Sequence, residues 1–255
     1  MGGMIAGVQM YTLRDYCKTP SDSAKALKKV RDLGYRIVQV SGMAEPKDMK
    51  EMRKILDDSG LSACSTHTAY QRIMEETDKV IEEHRILGCD AVMCPGLPGE
   101  LHNKEGYLKV AKDFSKVIGK LKNNNLVLGY HNHGIELERY GGKTGLEILL
   151  ENCAGLHAEV DTYWVQYGGG DPAAYIEKFS GRCSQLHFKD MGIIDNKQVM
   201  PPIGTGNLNW KRIVQAAAGA GVKYCLVEMD TPTIDPFKAL KISLDSMLSW
   251  GIKIG

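Results

Sequence analysis

Short apolar, β-branched runs alternate along the chain with longer stretches in which apolar residues recur at helical spacing. Eight such pairs fill the 255 residues. The pattern predicts strands over residues 5–11, 36–41, 61–67, 91–95, 126–132, 156–161, 184–188 and 224–228. Helices are predicted between them, for example over 21–33, 75–87, 104–122 and 210–220.

Helix boundary signals agree with this division. Ser21 is a predicted N-cap, and four predicted helices end before a glycine suited to a left-handed cap, namely Gly34, Gly60, Gly88 and Gly221. Eight βα units favour an α/β fold, a single (β/α)8 TIM barrel forming one domain over residues 1–255. An open, doubly wound parallel sheet is the alternative.

Side-chain parity along the predicted strands separates two faces. Apolar pairs such as Val38 and Val40 point toward the helices, which leaves polar residues inside the barrel. A buried polar group without a partner costs about 1 to 3 kcal/mol, so these residues should bond to each other or to a ligand. The predicted interior set is Gln9, Gln39, His67, His131, His133, Glu159, Asp161, Gln185, His187, Lys189 and Glu228.

Four polar clusters follow apolar runs, and their leading residues lie 30, 26 and 41 positions apart. These residues are His131, Asp161, His187 and Glu228. Each has an ordinary structural role open to it: a loop cap, a helix N-cap, a core histidine or a partner for lysine. Barrel enzymes build their active sites at the ends of the strands. The four residues together therefore predict a binding site for one divalent metal ion. Two imidazoles and two carboxylates suit Mn²⁺, Zn²⁺, Co²⁺ or Fe²⁺ better than Mg²⁺ or Ca²⁺.

Composition narrows the class of partner. The 32 Lys and Arg residues nearly balance 31 Asp and Glu, and no basic block suggests nucleic-acid binding, so a small polar ligand is expected.

Seven scattered cysteines without a CxxC pair are typical of reduced thiols in the cytoplasm. No apolar run approaches the roughly 20 residues that span a bilayer, so we expect a cytoplasmic protein without membrane contact. A homodimer is compatible with the neutral surface, although no segment identifies an interface.

Seven motifs in order carry a family resemblance: residues 7–15 (GVQMYTLRD), 34–35 (GY), 130–136 (YHNHGIE), 161–165 (DTYWV), 187–190 (HFKD), 203–206 (IGTG) and 227–230 (VEMD). In these the chain resembles the sugar phosphate isomerase/epimerase group with a xylose-isomerase-like barrel. The resemblance implies one divalent metal held by side chains from the last four strands. It also implies a sugar or polyol-like keto substrate bound through its hydroxyls.

The chain departs from the family pattern at two positions. In the better-known epimerases two glutamates are metal ligands and also act as acid and base on opposite faces of the substrate. His131 stands in the place of the first glutamate, and Thr205 stands where relatives often have an acid. We therefore expect Glu228 to move the proton on one side, with His133 or Glu136 acting from the other.

Four further residues are predicted to contact the substrate, namely Gln9, His67, Trp164 and Lys189. Lys189 would hold a substrate oxygen or, alternatively, form an ion pair with Asp190 or Glu159. His67 and Trp164 have core packing as their alternative role. Glu159, one inward step below Asp161, is a predicted partner for a ligating imidazole.

The predicted chemistry is proton abstraction next to a carbonyl, with isomerase or epimerase as the first expectation. The missing glutamate favours an alternative, a dehydratase or lyase acting on an oxidised sugar or inositol. A non-catalytic sugar-binding barrel is a second alternative. A DNA-repair endonuclease of related fold would need more metal ligands and a basic groove, neither of which the sequence contains.

Overall fold

A computed structural model of the chain describes residues 3–44 and 46–255. Eight parallel strands close into a barrel in which each strand pairs with its neighbours in chain order and the last pairs with the first. The strands are β1 (Ile5–Gln9), β2 (Ile37–Val40), β3 (Ser62–His67), β4 (Ala91–Cys94), β5 (Val127–His131), β6 (His157–Asp161), β7 (Gln185–Phe188) and β8 (Tyr224–Val227). The predicted (β/α)8 barrel is confirmed, and the open sheet is excluded.

Helices surround the barrel: α1 (Pro20–Leu33), α2 (Met49–Ser59), α3 (Tyr70–Glu75), α4 (Thr77–Leu87), α5 (Lys104–Asn123), α6 (Gly145–Glu151), α7 (Thr162–Tyr167), α8 (Pro172–Lys178), α9 (Trp210–Gly219) and α10 (Pro236–Ser249). None in the described ranges is long and apolar enough to cross a membrane. Gly34, Gly60 and Gly88 adopt the predicted left-handed conformation at helix ends.

Two predicted helix boundaries are wrong. Thr19, and not Ser21, caps α1, because Pro20 occupies the first helical turn and the residue before it accepts the Asp22 N–H. The helix predicted over residues 75–87 begins at Thr77, because Glu75 ends α3 and Glu76 leaves the helical region.

The apolar core lies between the strands and the helices, as parity predicts. Val38, Val160 and Leu186 are fully buried there, and all seven cysteines are buried with free thiols. Burying this layer provides the main driving force for closing the barrel.

Amides and one carboxylate fill the barrel interior below the mouth. Gln39 Nε2 donates to Glu159 Oε1 at 2.6 Å and to Ser65 Oγ at 2.9 Å. Gln185 donates to the same two groups, and Gln9 donates to Gln39 Oε1. These bonds satisfy the buried polar groups and form a rigid floor beneath the strand ends.

The buried carboxylate of Asp190 organises the loop after β7. It accepts the backbone N–H groups of Gly204 and Gly206 at 2.8 and 3.0 Å and the Trp210 indole N–H at 2.8 Å. A side chain at position 206 would place its Cβ 2.5 Å from Asp190 Oδ1, so glycine is required there. The HFKD and IGTG motifs are therefore joined by the hydrogen bonds that Asp190 accepts.

Candidate active site at the mouth of the barrel

A cavity of about 450 Å³ opens at the carboxyl ends of the strands. This is the end at which barrel enzymes assemble their sites. The cavity is lined by Tyr11, Ser41, Gly42, His67, Pro95, His131, His133, Glu228 and Asp230.

The four predicted metal ligands meet at the base of this cavity. His131, Asp161, His187 and Glu228 are buried, and each offers a ligand atom within 4.8 Å of the others. His187 Nδ1 lies 2.8 Å from Glu228 Oε2 and 3.8 Å from Asp161 Oδ2. Strand parity explains the convergence, because each side chain points inward from the end of its strand or from the residue that follows it.

Two atoms of this set are buried without a well-aligned hydrogen bond from the described residues: His131 Nδ1, and Asp161 Oδ2, which lies 3.1 Å from the Lys189 ammonium. The other oxygen of Asp161 accepts the Trp164 N–H at 2.9 Å, so Asp161 is also the N-cap of α7. Native proteins rarely leave buried acceptors unsatisfied. Free nitrogen and oxygen donors in one cluster fit a divalent cation, and the residues present suit the metal that the fold implies.

Glu159 lies beneath three imidazoles. Its Oε2 is 2.9 Å from His67 Nε2 and 3.8 Å from His131 Nδ1, and its Oε1 is 3.3 Å from His187 Nε2. Burial opposes ionisation of Glu159, but His187 and His67 hold its pKa well below the ordinary value. His67, His131, Glu159 and His187 form a second group with ligand geometry. Since Glu159 Oε1 already accepts from Gln39 and Gln185, this carboxylate is better placed to orient the rings.

Lys189 lies among three carboxylates. Its Nζ is 2.8 Å from Glu228 Oε2, 3.0 Å from Asp230 Oδ2 and 3.1 Å from Asp161 Oδ2. Burial opposes the charge on Lys189, but these carboxylates raise its pKa above the usual value, so it is a cation. The ion pairs predicted with Asp190 or Glu159 are wrong, because Asp190 faces the loop that it organises.

The acids and imidazoles of the site carry distinct charges. Burial and the neighbouring Glu228 raise the pKa of Asp161 to about 6 despite Lys189. Burial also opposes ionisation of Glu228, but Lys189 and His187 hold its pKa well below the usual range. Burial and the adjacent imidazoles lower the pKa of His131, which is therefore neutral and able to donate a lone pair.

His133 lines the cavity, and Trp164 packs against it with ring centroids 5.5 Å apart. The Lys189 ammonium lies 5.6 Å from the Trp164 ring. Glu136, the other predicted base, is fully buried outside the cavity lining. Its oxygens accept the Tyr130 hydroxyl at 2.6 Å and the His133 backbone N–H at 2.8 Å, so the structure gives it a contact that holds the His133 loop.

Of the predicted substrate contacts, His67 lines the cavity, whereas Gln9, Trp164 and Lys189 lie outside its lining. The Gln9 amide lies in the floor, 3.3 Å from His67 Nδ1. Sequence reasoning gave no role to Tyr11 or Asp230, which both line the cavity. The position of Asp230 two residues after Glu228, on the same face of an extended chain, could have predicted that it lines the cavity.

The chain belongs to the xylose isomerase-like TIM barrel family, whose model matches residues 27–250. No curated protein sequence matches it. A sugar phosphate isomerase/epimerase from Parabacteroides distasonis has a similar structure, with a TM-score of 0.79 and 24% identity over 97% of this chain and 94% of that one.

Two other solved structures share the fold at lower identity. One is an L-ribulose 3-epimerase, with a TM-score of 0.74 and 16% identity over 99% of this chain and 95% of that one. The other is a probable 3-DHS dehydratase from Bacillus anthracis, with a TM-score of 0.73 and 13% identity over 96% and 99%. At these identities the likeness shows the common barrel.

Proposed function

We propose that the protein is a divalent-metal-dependent sugar isomerase or epimerase that moves a proton next to the carbonyl of a keto-sugar or polyol-derived substrate. The observation that carries the proposal is the convergence of His131, Asp161, His187 and Glu228 on one buried point, where His131 Nδ1 has no hydrogen-bond partner among the described residues. Sugar isomerases and epimerases among proteins of this fold support the same class.

These four side chains would hold the ion, and Mn²⁺, Zn²⁺, Co²⁺ and Fe²⁺ are the proposed occupants. A bound divalent ion polarises a carbonyl and stabilises negative charge on its oxygen as a Lewis acid. Glu159 would orient the rings of His67 and His187 from below, through their Nε2 atoms at 2.9 and 3.3 Å.

Glu228 is the proposed proton carrier on one side of the substrate. It lines the cavity, and its low pKa keeps it ionised and able to accept a proton. His133 is the proposed partner on the opposite side, because it lines the same cavity and burial lowers its pKa, leaving a neutral base. Glu136 contributes by fixing the His133 backbone.

Lys189 supplies positive charge beside Glu228 and is proposed to stabilise a substrate oxygen as it becomes negative. His67 is proposed to bond a substrate hydroxyl through Nδ1, in place of its long contact of 3.4 Å with Ser41 Oγ, while Glu159 holds Nε2. The Trp164 ring offers an apolar face to the sugar.

A dehydratase or lyase acting on an oxidised sugar or inositol is the second proposed function. The specific observation behind it is His131, a neutral donor where the resemblance implies a second acidic group. Of the two glutamates in the family pattern, this chain keeps only Glu228. A symmetric epimerisation needs a second acid or base on the opposite face of the substrate, whereas loss of a β-substituent can proceed with a weaker group there. The dehydratase of similar fold supports this alternative.

Proton exchange tests the class directly. The Mn²⁺-loaded protein is incubated in D2O with ketohexoses and 3-keto-glucose, and the sugars are followed by NMR. Deuterium incorporated next to the carbonyl, and lost with Glu228→Gln, is the expected result. Appearance of an unsaturated product indicates the lyase. Sugar binding without exchange in any of these mixtures contradicts both enzymatic proposals and leaves a binding protein.

A further inference from the structure

A second cavity lies beside the mouth, between the ends of β2 and β3 and the helices α2 and α4. Its volume is about 240 Å³. Apolar side chains form its outer wall, namely Val40, Met43, Met49, Met52 and Leu87. Ser41, Gly42 and His67 line both this side cavity and the mouth, so the two share a boundary.

The polar groups at the base of the side cavity are already bonded to each other. Thr66 Oγ1 lies 3.0 Å from Thr68 Oγ1 and 2.9 Å from His84 Nε2. The Arg72 guanidinium donates to Glu83 at 2.5 Å. Because these groups have partners, the apolar wall is the part of the cavity left to bind a ligand.

That wall suits a flat, polarisable group. Three of its residues are methionines, Met43, Met49 and Met52, and methionine side chains make favourable contacts with aromatic rings. An apolar cavity of about 150 Å³ is enough to hold benzene. The side cavity therefore has room for a substituted ring.

His67 separates the two cavities in a fixed orientation. Its Nε2 lies 2.9 Å from Glu159 Oε2, and its Nδ1 lies 3.4 Å from Ser41 Oγ. A ligand with a sugar in the mouth would pass this ring to reach the side cavity. A free sugar held at the mouth carries no substituent that would extend past His67 to the three methionines.

We propose that the substrate is a sugar bearing an aromatic substituent, with the sugar at the mouth and the substituent against Met49 and Met52. The inference rests on the proposed function for the sugar portion. It narrows the substrate class to keto-sugars that carry an aryl group, such as aryl glycosides with a carbonyl in the sugar ring. Burial of one ring is expected to strengthen binding by about 10- to 100-fold over the same sugar with a methyl group.

Two matched probes test the inference, phenyl β-D-glucopyranoside and methyl β-D-glucopyranoside, which lack the carbonyl and therefore report binding of the substituent without turnover. Each is titrated into Mg²⁺-free, Zn²⁺-loaded protein carrying ¹³C-methyl methionine, and affinities are measured by calorimetry. The phenyl probe is expected to bind at least 10-fold more tightly and to shift the Met49 and Met52 methyl signals. Single Met→Leu variants at these positions assign the signals.

Substitution at one position supplies the control pair. Met49→Trp fills the side cavity and is expected to remove the preference for the phenyl probe, while Met49→Leu keeps it. Equal affinities with unshifted methionine signals overturn the inference but leave sugar binding, and hence the proposed function, in place. If neither probe binds while the protein retains its metal, the inference fails. The exchange experiment with keto-sugars then decides the proposed function separately.

Discussion

The ammonium of Lys189 lies 2.8 Å from Glu228 Oε2, and both side chains are buried. Asp161 and Asp230 lie within 3.1 Å of the same ammonium. One cation therefore faces three carboxylates at the point where the proposed metal ligands meet. A buried charge of this kind is costly unless paired, so the arrangement ties lysine and carboxylates together.

Substitution of Lys189 is expected to reduce catalysis without removing the metal. Lys189→Ala is expected to retain stoichiometric metal, because the ligands remain and a repelling charge is lost, but to lose about 100-fold or more in turnover. Metal content is measured by mass spectrometry and turnover by proton exchange. Lys178→Ala, which breaks an exposed ion pair with Glu147, is the control and should change neither. Metal loss in Lys189→Ala would refute its assignment as a substrate-binding group.

The carboxylate of Glu159 is predicted to orient the ligating imidazoles. Glu159→Gln keeps the shape but removes the charge beneath His67, His131 and His187, so metal affinity should fall about 10- to 100-fold. Competition with a fluorescent chelator measures the change. Glu136→Gln alters another buried glutamate that contacts no ligand ring and should keep the wild-type affinity. Equal affinities for both variants would contradict the orienting role.

Direct loss of a ligand should abolish binding. His187→Ala and Glu228→Ala are each expected to lose metal and activity, and a thermal shift on adding Mn²⁺, Co²⁺ or Zn²⁺ should disappear. His157→Ala is the matched control, since this histidine begins β6 at the opposite end of the barrel. Metal retained by His187→Ala would remove it from the ligand set.

The buried His84 gives a pH dependence away from the metal. Its Nδ1 lies 2.7 Å from the Val80 carbonyl, and burial lowers its pKa below 6.5. The unfolded chain binds this proton more readily, so the stabilisation is complete above about pH 6.5 and is lost as pH falls toward the folded pKa. The free energy of unfolding of wild type minus that of His84→Asn should therefore be smaller at pH 5 than at pH 7.5. An unchanged difference would exclude this linkage.

The barrel and the convergence of the four proposed ligands were predictable from sequence because strand parity and repeat spacing are local properties. His131, Asp161, His187 and Glu228 point inward wherever the strands lie in the sheet. The partners of Lys189 were not predictable, since they depend on how the ends of β6 and β8 approach each other. The side cavity depends on the distance between α2, α4 and the strands, which no local pattern records.

The cap of α1 shows a smaller limit. Thr19 and Ser21 both suit an N-cap, and the proline between them decides the matter. The preference of proline for the first helical turn therefore predicts Thr19 as the cap.

A crystal structure of the Mn²⁺-loaded protein with a bound sugar, with data collected at the manganese absorption edge, tests the central claim most directly. We predict one anomalous peak within coordination distance of His131, Asp161, His187 and Glu228, with the sugar carbonyl facing Glu228. An ion held by other residues, or no peak in a protein that binds the sugar, would contradict the account.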